Sequence, residues 1–157
     1  MPSYAVSFTL IRSSDGQVRR YPLLPVVLEV HGLSRRVDPL VDSGSDCSFL
    51  THTLATGGFG IHCEDLPDGA TQQGHGGTFE TVSLEGTVRF GTARRPFEDR
   101  IPFLVAKDAG IEPSFSVLGR EPFFDRYRVD FRMGLRMRAS AGRFVISPER
   151  RGRPSPH

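Results

Sequence analysis

Residues 41–45, with the sequence Val-Asp-Ser-Gly-Ser, carry the clearest chemistry in this chain. An apolar strand leads directly into Asp42, and three small residues follow it. Ser43 can turn its hydroxyl onto nearby backbone, Gly44 permits a sharp bend, and Ser45 can donate to the carboxylate. The pattern therefore predicts a turn that presents Asp42 in a setting suited to activating water.

Hydrolysis by carboxylates requires a second acid close to the first. One acid must be ionised to take a proton from water, while the other is protonated and polarises the scissile carbonyl. Two acids about 3 Å apart share a single proton and so supply both forms. No second apolar strand runs into an Asp-Ser/Thr-Gly turn, and the other Asp-Gly steps, at 15–16 and 68–69, lack that setting. We therefore predict that Asp42 is completed by Asp42 of a second copy, in a homodimer.

Three motifs, taken in order, resemble those of the retropepsin-like aspartic proteases. Residues 25–50 look like the family's hairpin, catalytic loop and loop exit. A glycine-rich stretch stands where the family places its flap, and its residues are Gly74, His75, Gly76 and Gly77. The second signature of the family, an apolar pair followed by glycine, is matched by Val117, Leu118 and Gly119. The resemblance covers residues 21–147, and the order and spacing of the motifs make it specific.

The resemblance implies an all-β, retropepsin-like fold: a closed, barrel-like single lobe with a flap hairpin and one short helix. It also implies an aspartic endopeptidase that is active as a homodimer on peptide or protein substrates. Asp42 of each subunit would activate the water, Ser43 would lock the two loops together, and Gly44 would let substrate lie close. Asp46 and Arg120 would form an ion pair that ties the loop to the second signature.

Three further expectations follow from the resemblance. The terminal strands of the two subunits would interleave in one sheet, with residues 143–147 and 5–11 as candidates. Ser45 stands where many retroviral members have alanine, and a hydroxyl that donates to the acids stabilises their charged form, which predicts an acidic optimum. His75 occupies the flap tip in place of an aliphatic residue, and its protonation in acid would oppose flap closure. Which of these two pH effects dominates stays open.

The chain of 157 residues fits one domain, over residues 1–147, and is too short for a two-lobed plan that carries both acids. Alternating apolar residues predict strands at 5–11, 17–24, 81–90, 100–105, 129–131 and 143–147. One helix is predicted to start near Glu121, because Pro122 suits a first turn. Residues 148–157 are expected to form a disordered tail.

Composition argues against several other classes of function. The net charge of +2 is too small to indicate nucleic-acid binding, and the C-terminal arginines alternate with apolar residues as on a solvated strand face. Cys47 and Cys63 make no disulfide framework, and the spacing of His and Cys is not that of a zinc site, so no metal or cofactor is expected. Because neither a signal segment nor an apolar membrane span is recognised, we expect a cytoplasmic protein without membrane partners.

Two other interpretations of the same residues stay open. The chain could be a catalytically silent retropepsin-like domain that binds a protein partner or peptide in the same groove. It could also be a small β-barrel that binds an apolar ligand, which would require neither dimerisation nor Asp42. The intact Asp-Ser-Gly-Ser turn favours the enzyme.

Overall fold

Strands dominate the structure, a computed structural model that describes residues 3–74, 77–111, 113–132 and 142–149. Within these ranges the strands are β1 (Tyr4–Ser7), β2 (Thr9–Arg12), β3 (Val18–Tyr21), β4 (Val26–Val30), β5 (Leu33–Val37), β6 (Leu40–Val41), β7 (Ser48–Leu50), β8 (Gln72–Gly74), β9 (Gly77–Phe79), β10 (Thr81–Thr92), β11 (Arg95–Ala106), β12 (Val117–Leu118), β13 (Tyr127–Arg132) and β14 (Arg143–Pro148). Short helical turns lie between them at Leu54–Gly58, Cys63–Asp65, Ala109–Ile111 and Arg120–Phe124. The predicted all-β class is confirmed.

The main sheet has seven strands in the order β5-β4-β10-β11-β7-β12-β6, and it curls into a half-barrel. β10 and β11 pair along their whole length, from Thr81 opposite Ala106 to Thr92 opposite Arg95. Alternate side chains along these strands are buried because one face of the sheet packs on the core. The largest fully buried side chains are Phe123, Phe144, Leu24, Leu28, Leu50, Ile101, Leu118 and Ile146.

The strands that lead into Asp42 and into Gly119 lie side by side in this sheet. β6 runs parallel to β12 and pairs with it residue by residue. β12 also pairs with β7, the strand that follows the turn at Asp42. Because parallel neighbours end at the same edge of a sheet, β6 and β12 deliver Asp42 and Gly119 to one place.

β14 is the central strand of a second sheet with the order β1-β14-β13. It pairs antiparallel with β1 on one side and with β13 on the other. Both edges of β14 are therefore occupied within the chain, so the expectation that residues 143–147 pair with a second copy is not met. Residues 5–11, the other candidate segment, divide between β1 and β2 at the buried Phe8.

The described chain continues past the predicted start of the tail. Pro148 is the last residue of β14 and lies opposite Tyr127. The N–H of Glu149 donates to the carbonyl oxygen of Arg126 at 2.8 Å. The start of the tail at 148 is therefore corrected, since Pro148 belongs to the sheet and Glu149 is hydrogen-bonded to the residue before β13, and residues 150–157 lie outside the described ranges.

The predicted helix near Glu121 is present as a short irregular helical segment, Arg120–Phe124, in which Glu121 itself is extended (φ −97°, ψ 123°) and Phe123 is completely buried. The turn at Leu54–Gly58 was not predicted, since glycine at its last two positions opposes helix formation. In the part of the chain that the structure describes, no helix has the length and apolar character needed to cross a membrane.

Candidate active site

Asp42 stands where the chain leaves the main sheet at the end of β6. Its own N–H donates to the carbonyl oxygen of Leu118 at 3.1 Å. On the other side, the N–H of Val41 donates to the carbonyl oxygen of Pro22 at 2.9 Å. The end of β6 is therefore fixed from both sides, which holds the residue that follows it in place.

The Asp42 carboxylate is half-buried and closes its own turn. Its Oδ1 accepts a hydrogen bond from the N–H of Gly44 at 2.8 Å, and its backbone oxygen accepts one from the N–H of Ser45 at 3.2 Å. Ser43 is exposed on the outside of this turn. We call residues 42–46 the Asp42 loop. Its two internal hydrogen bonds set the orientation of the carboxyl group.

Ser45 does not donate to the Asp42 carboxylate, contrary to the prediction. Its Oγ donates to the carbonyl oxygen of Cys47 at 2.7 Å instead. The hydroxyl therefore stabilises the exit of the loop and makes no direct bond to the Asp42 carboxylate. The argument from Ser45 to an acidic optimum loses its basis.

Gly119 packs against the Asp42 loop more closely than any side chain would permit. A Cβ at this position would lie 2.1 Å from the carbonyl oxygen of Cys47 and 2.8 Å from that of Ser45. The N–H of Gly119 donates to Ser48 Oγ at 3.1 Å, and Ser48 is only 1% exposed. The N–H of Arg120 donates to the carbonyl oxygen of Ser45 at 2.7 Å. The second signature, with Val117 and Leu118 buried before it, is thus joined to the loop through backbone contacts.

The structure brings Asp46 and Arg120 together. The guanidinium of Arg120 donates to the Asp46 carboxylate, and the N–H of Glu121 donates to the backbone oxygen of Asp46 at 3.0 Å. The two charged side chains are 72% and 59% exposed, so water screens their attraction. The backbone hydrogen bonds contribute more to the position of the loop than the ion pair does.

The glycine-rich stretch forms a hairpin, β8–β9, with Gly74 opposite Gly77. Gly77 has a φ of +112°, which side chains of L-residues rarely allow. Near the base of the hairpin, the Phe79 ring lies 6.4 Å from the ring of Phe49 in β7. Because β7 follows the Asp42 loop, this contact joins the base of the hairpin to the strand that leaves the loop. Outside the described residues lie the other two flap positions, His75 and Gly76.

These features form one arrangement, in which a strand ending in Asp-Ser-Gly-Ser runs parallel to a strand ending in glycine, beside a glycine-rich hairpin. The fold is retropepsin-like. The closed loop, the signature against it and the hairpin over β7 agree with the order of motifs in the sequence.

Two solved protease structures are similar to the chain. EIAV protease complexed with the inhibitor HBY-793 is 23% identical, with a TM-score of 0.46 over 67% of this chain and 86% of that one. A retropepsin-like aspartic protease from Rickettsia conorii is 17% identical, with a TM-score of 0.49 over 92% of each chain. No family model and no curated protein matches the chain. The roles of individual residues therefore rest on the geometry of this chain.

Cys47, next to the loop, is a poor nucleophile. Burial raises the pKa of its thiol, and the carboxylates of Asp46 and Glu121 raise it further. The thiol therefore stays protonated at neutral pH, whereas the thiolate is the reactive form. Within the described ranges, no group of three or more His, Cys, Asp or Glu is placed to hold a metal.

The sequence placed Ser48 and Phe49 in the loop exit but gave them no role, whereas they connect the loop to the second signature and to the hairpin. Ser48 offered a signal, because it shares an inward strand position with Leu50 and a buried hydroxyl requires a partner. That partner is the N–H of Gly119. The contact between Phe49 and Phe79 had no local signal, since it depends on how the hairpin folds over the sheet.

Proposed function

We propose that this protein is an aspartic endopeptidase that acts as a homodimer, with Asp42 of each copy in one catalytic dyad. The supporting observation is the Asp42 carboxylate, which the N–H of Gly44 orients at the end of a strand fixed on both sides. A carboxyl group that must lie about 3 Å from the same group of a second copy needs such a fixed position. The sequence contains one turn of this kind, so the second acid comes from a second copy.

The mechanism divides the two protonation states between the two copies. The ionised Asp42 takes a proton from water as the water oxygen attacks the scissile carbonyl carbon, and the protonated Asp42 donates to the carbonyl oxygen. As the tetrahedral intermediate collapses, its C–N bond breaks, the Asp42 that took the proton of water gives it to the leaving amine, and the other Asp42 regains its proton from the hydroxyl group as the carbonyl re-forms. Ser43 would bind the backbone of the second loop, and Gly44 would leave room for the substrate. The substrate would lie extended between the loop and β8–β9.

The substitution Asp42→Asn tests this assignment because the amide keeps the shape of the carboxyl group but cannot ionise. We expect kcat on a peptide library to fall by at least about 1000-fold, with an unchanged thermal unfolding temperature. The matched control is Asp38→Asn, since Asp38 is exposed and lies just before β6. The control should cleave like the wild type, and pepstatin should inhibit both active forms.

Two outcomes would contradict the proposal. Normal cleavage by Asp42→Asn would remove Asp42 from the mechanism. Binding of peptides by a wild-type protein that cleaves none of them would instead favour the catalytically silent domain that binds a partner in the same groove.

A further inference from the structure

The ribbon formed by β2 and β3 stands apart from both larger sheets. Its strands pair with each other, from Thr9 opposite Tyr21 to Arg12 opposite Val18, and with no other strand in the described ranges. None of its strand residues is fully buried. Because an isolated two-stranded hairpin is marginally stable in water, this ribbon would gain from a covering surface.

One face of the ribbon carries two exposed apolar side chains. Leu10 is 53% exposed and Val18 is 54% exposed, more than any other large apolar side chain that the structure describes. Leu10 lies opposite Arg20, and Arg12 lies opposite Val18, so the strand alternation puts all four residues on one face. This face combines apolar surface with basic groups, as contact surfaces between proteins do.

The base of the ribbon lies next to the Asp42 loop. The ring of Tyr21, the last residue of β3, is 5.1 Å from the ring of Phe115. The next residue, Pro22, accepts the hydrogen bond from Val41 that fixes the end of β6. The ribbon therefore ends one residue before Pro22, which is hydrogen-bonded to the strand that presents Asp42.

This position determines what the ribbon faces in a dimer. If two Asp42 carboxylates form one dyad, the two-fold axis passes between the Asp42 loops, and surfaces next to a loop face the other copy. A strand of four residues extends about 13 Å, so the ribbon reaches beyond its own loop. The alternative is a contact through β14, but both edges of β14 are already paired, one with β1 and the other with β13.

We infer that the β2–β3 ribbon is the dimerisation arm of this protein, and that its face with Leu10 and Val18 packs on a second copy beside the Asp42 loop. The inference rests on the proposed function, because the dyad is what requires a second copy. It assigns the contact to a local hairpin in place of interleaved terminal strands. Burial of the two apolar side chains in each copy drives the association.

Sedimentation velocity of the double variant Leu10→Lys, Val18→Lys tests the arm. The charges would be buried without partners in both copies, so we expect the dimer Kd to rise about 100-fold or more over that of the wild type. The matched control is Leu33→Lys, since Leu33 is 44% exposed on β5, at the other end of the strand order from β6. The control should dimerise like the wild type. A double variant with wild-type Kd, or a wild-type protein that is monomeric throughout, would overturn the inference.

A second variant removes the arm without placing charge on it. Thr9 and Tyr21 are directly paired, so an Asn-Gly turn can join them in place of residues 10–20. Its circular dichroism and thermal unfolding should report an intact domain, while sedimentation should report a monomer. The wild type gives a test without substitution: protection of amides 9–21 from hydrogen exchange should rise with the fraction of dimer. Protection that is independent of concentration would contradict the arm.

Failure of the arm and failure of the proposed function give different results. Arm variants that stay dimeric and cleave peptides would refute the arm and leave the protease intact. A wild-type dimer that the arm variants dissociate, but that cleaves no peptide, would support the arm and refute the protease.

Discussion

The hydroxyl of Ser45 stabilises the exit of the Asp42 loop, because its Oγ donates to the carbonyl oxygen of Cys47 at 2.7 Å. Removing it with Ser45→Ala should lower the free energy of unfolding by about 1 kcal/mol, the usual net contribution of one such bond. It should leave the pH profile of cleavage where it is, since the hydroxyl does not bond to Asp42. Urea denaturation and a pH–rate profile measure the two effects.

The control for this substitution is Ser34→Ala, at an exposed position of β5, where we expect a change within about 0.5 kcal/mol. If the acidic limb of the pH–rate profile moved upward in Ser45→Ala, the hydroxyl would have to bond to the dyad after all. The same unfolding energy in Ser45→Ala and wild type would show that the bond to Cys47 contributes nothing.

The local sequence predicts that Asp42 is presented at a turn, but it does not predict where the hydroxyl of Ser45 points. Asp42 follows an apolar strand and precedes small residues, so its presentation at a turn depends on neighbours in sequence. Ser45 has several acceptors within reach, and a hydroxyl rotates to whichever the folded chain offers. Its choice of Cys47 depends on the path after the loop, which the packing of Gly119 and Ser48 sets.

Among the elements, the close approach of the Asp42 loop to the end of β12 is possible because Gly119 has no side chain. Gly119→Ala would place a Cβ 2.1 Å from the carbonyl oxygen of Cys47. The clash involves backbone, which cannot rotate aside, so β6 and β12 would separate. We expect a loss of at least about 3 kcal/mol in the free energy of unfolding, together with loss of cleavage. Urea denaturation checks the first effect and a peptide assay the second.

Gly57→Ala is the matched control, because a Cβ on Gly57 meets no atom within 4 Å. Gly57 lies in the turn Leu54–Gly58, where alanine reduces the entropy of the unfolded chain, so its stability should be unchanged or slightly higher. If Gly119→Ala were as stable as this control, the close contact between the second signature and the loop would be absent in solution.

The elements that sequence predicted well are those whose pairing is local. The hairpin of β10 and β11 covers the predicted strands at 81–90 and 100–105, because alternation and chain proximity specify both partners. The prediction that residues 143–147 pair with a second copy was wrong, because alternation identifies a strand but not its neighbours. Its pairing with β1 joins residues at opposite ends of the chain, and no local pattern distinguishes that partner from a strand of a second copy.

At the scale of the whole molecule, a shared dyad predicts that an inactive copy inhibits an active one. If Asp42→Asn is mixed with an equal amount of wild type and the subunits exchange, half of the wild-type chains enter mixed dimers with one carboxylate. Cleavage per mole of wild type should therefore fall to about half, and further excess of the variant should reduce it towards zero. A chain that works alone would keep its full activity at every ratio.

The control for mixing combines Asp42→Asn with Leu10→Lys and Val18→Lys in one chain. If the β2–β3 ribbon holds the copies together, a mixed dimer with this triple variant keeps only the arm contact made by the wild-type copy, so the triple variant should inhibit much less than Asp42→Asn does. Inhibition that is much stronger with Asp42→Asn than with the triple variant would support both the shared site and the contact through the ribbon in one titration. Equal inhibition by both variants would keep the shared site but move the interface elsewhere, because subunits would then associate without the apolar face of the ribbon.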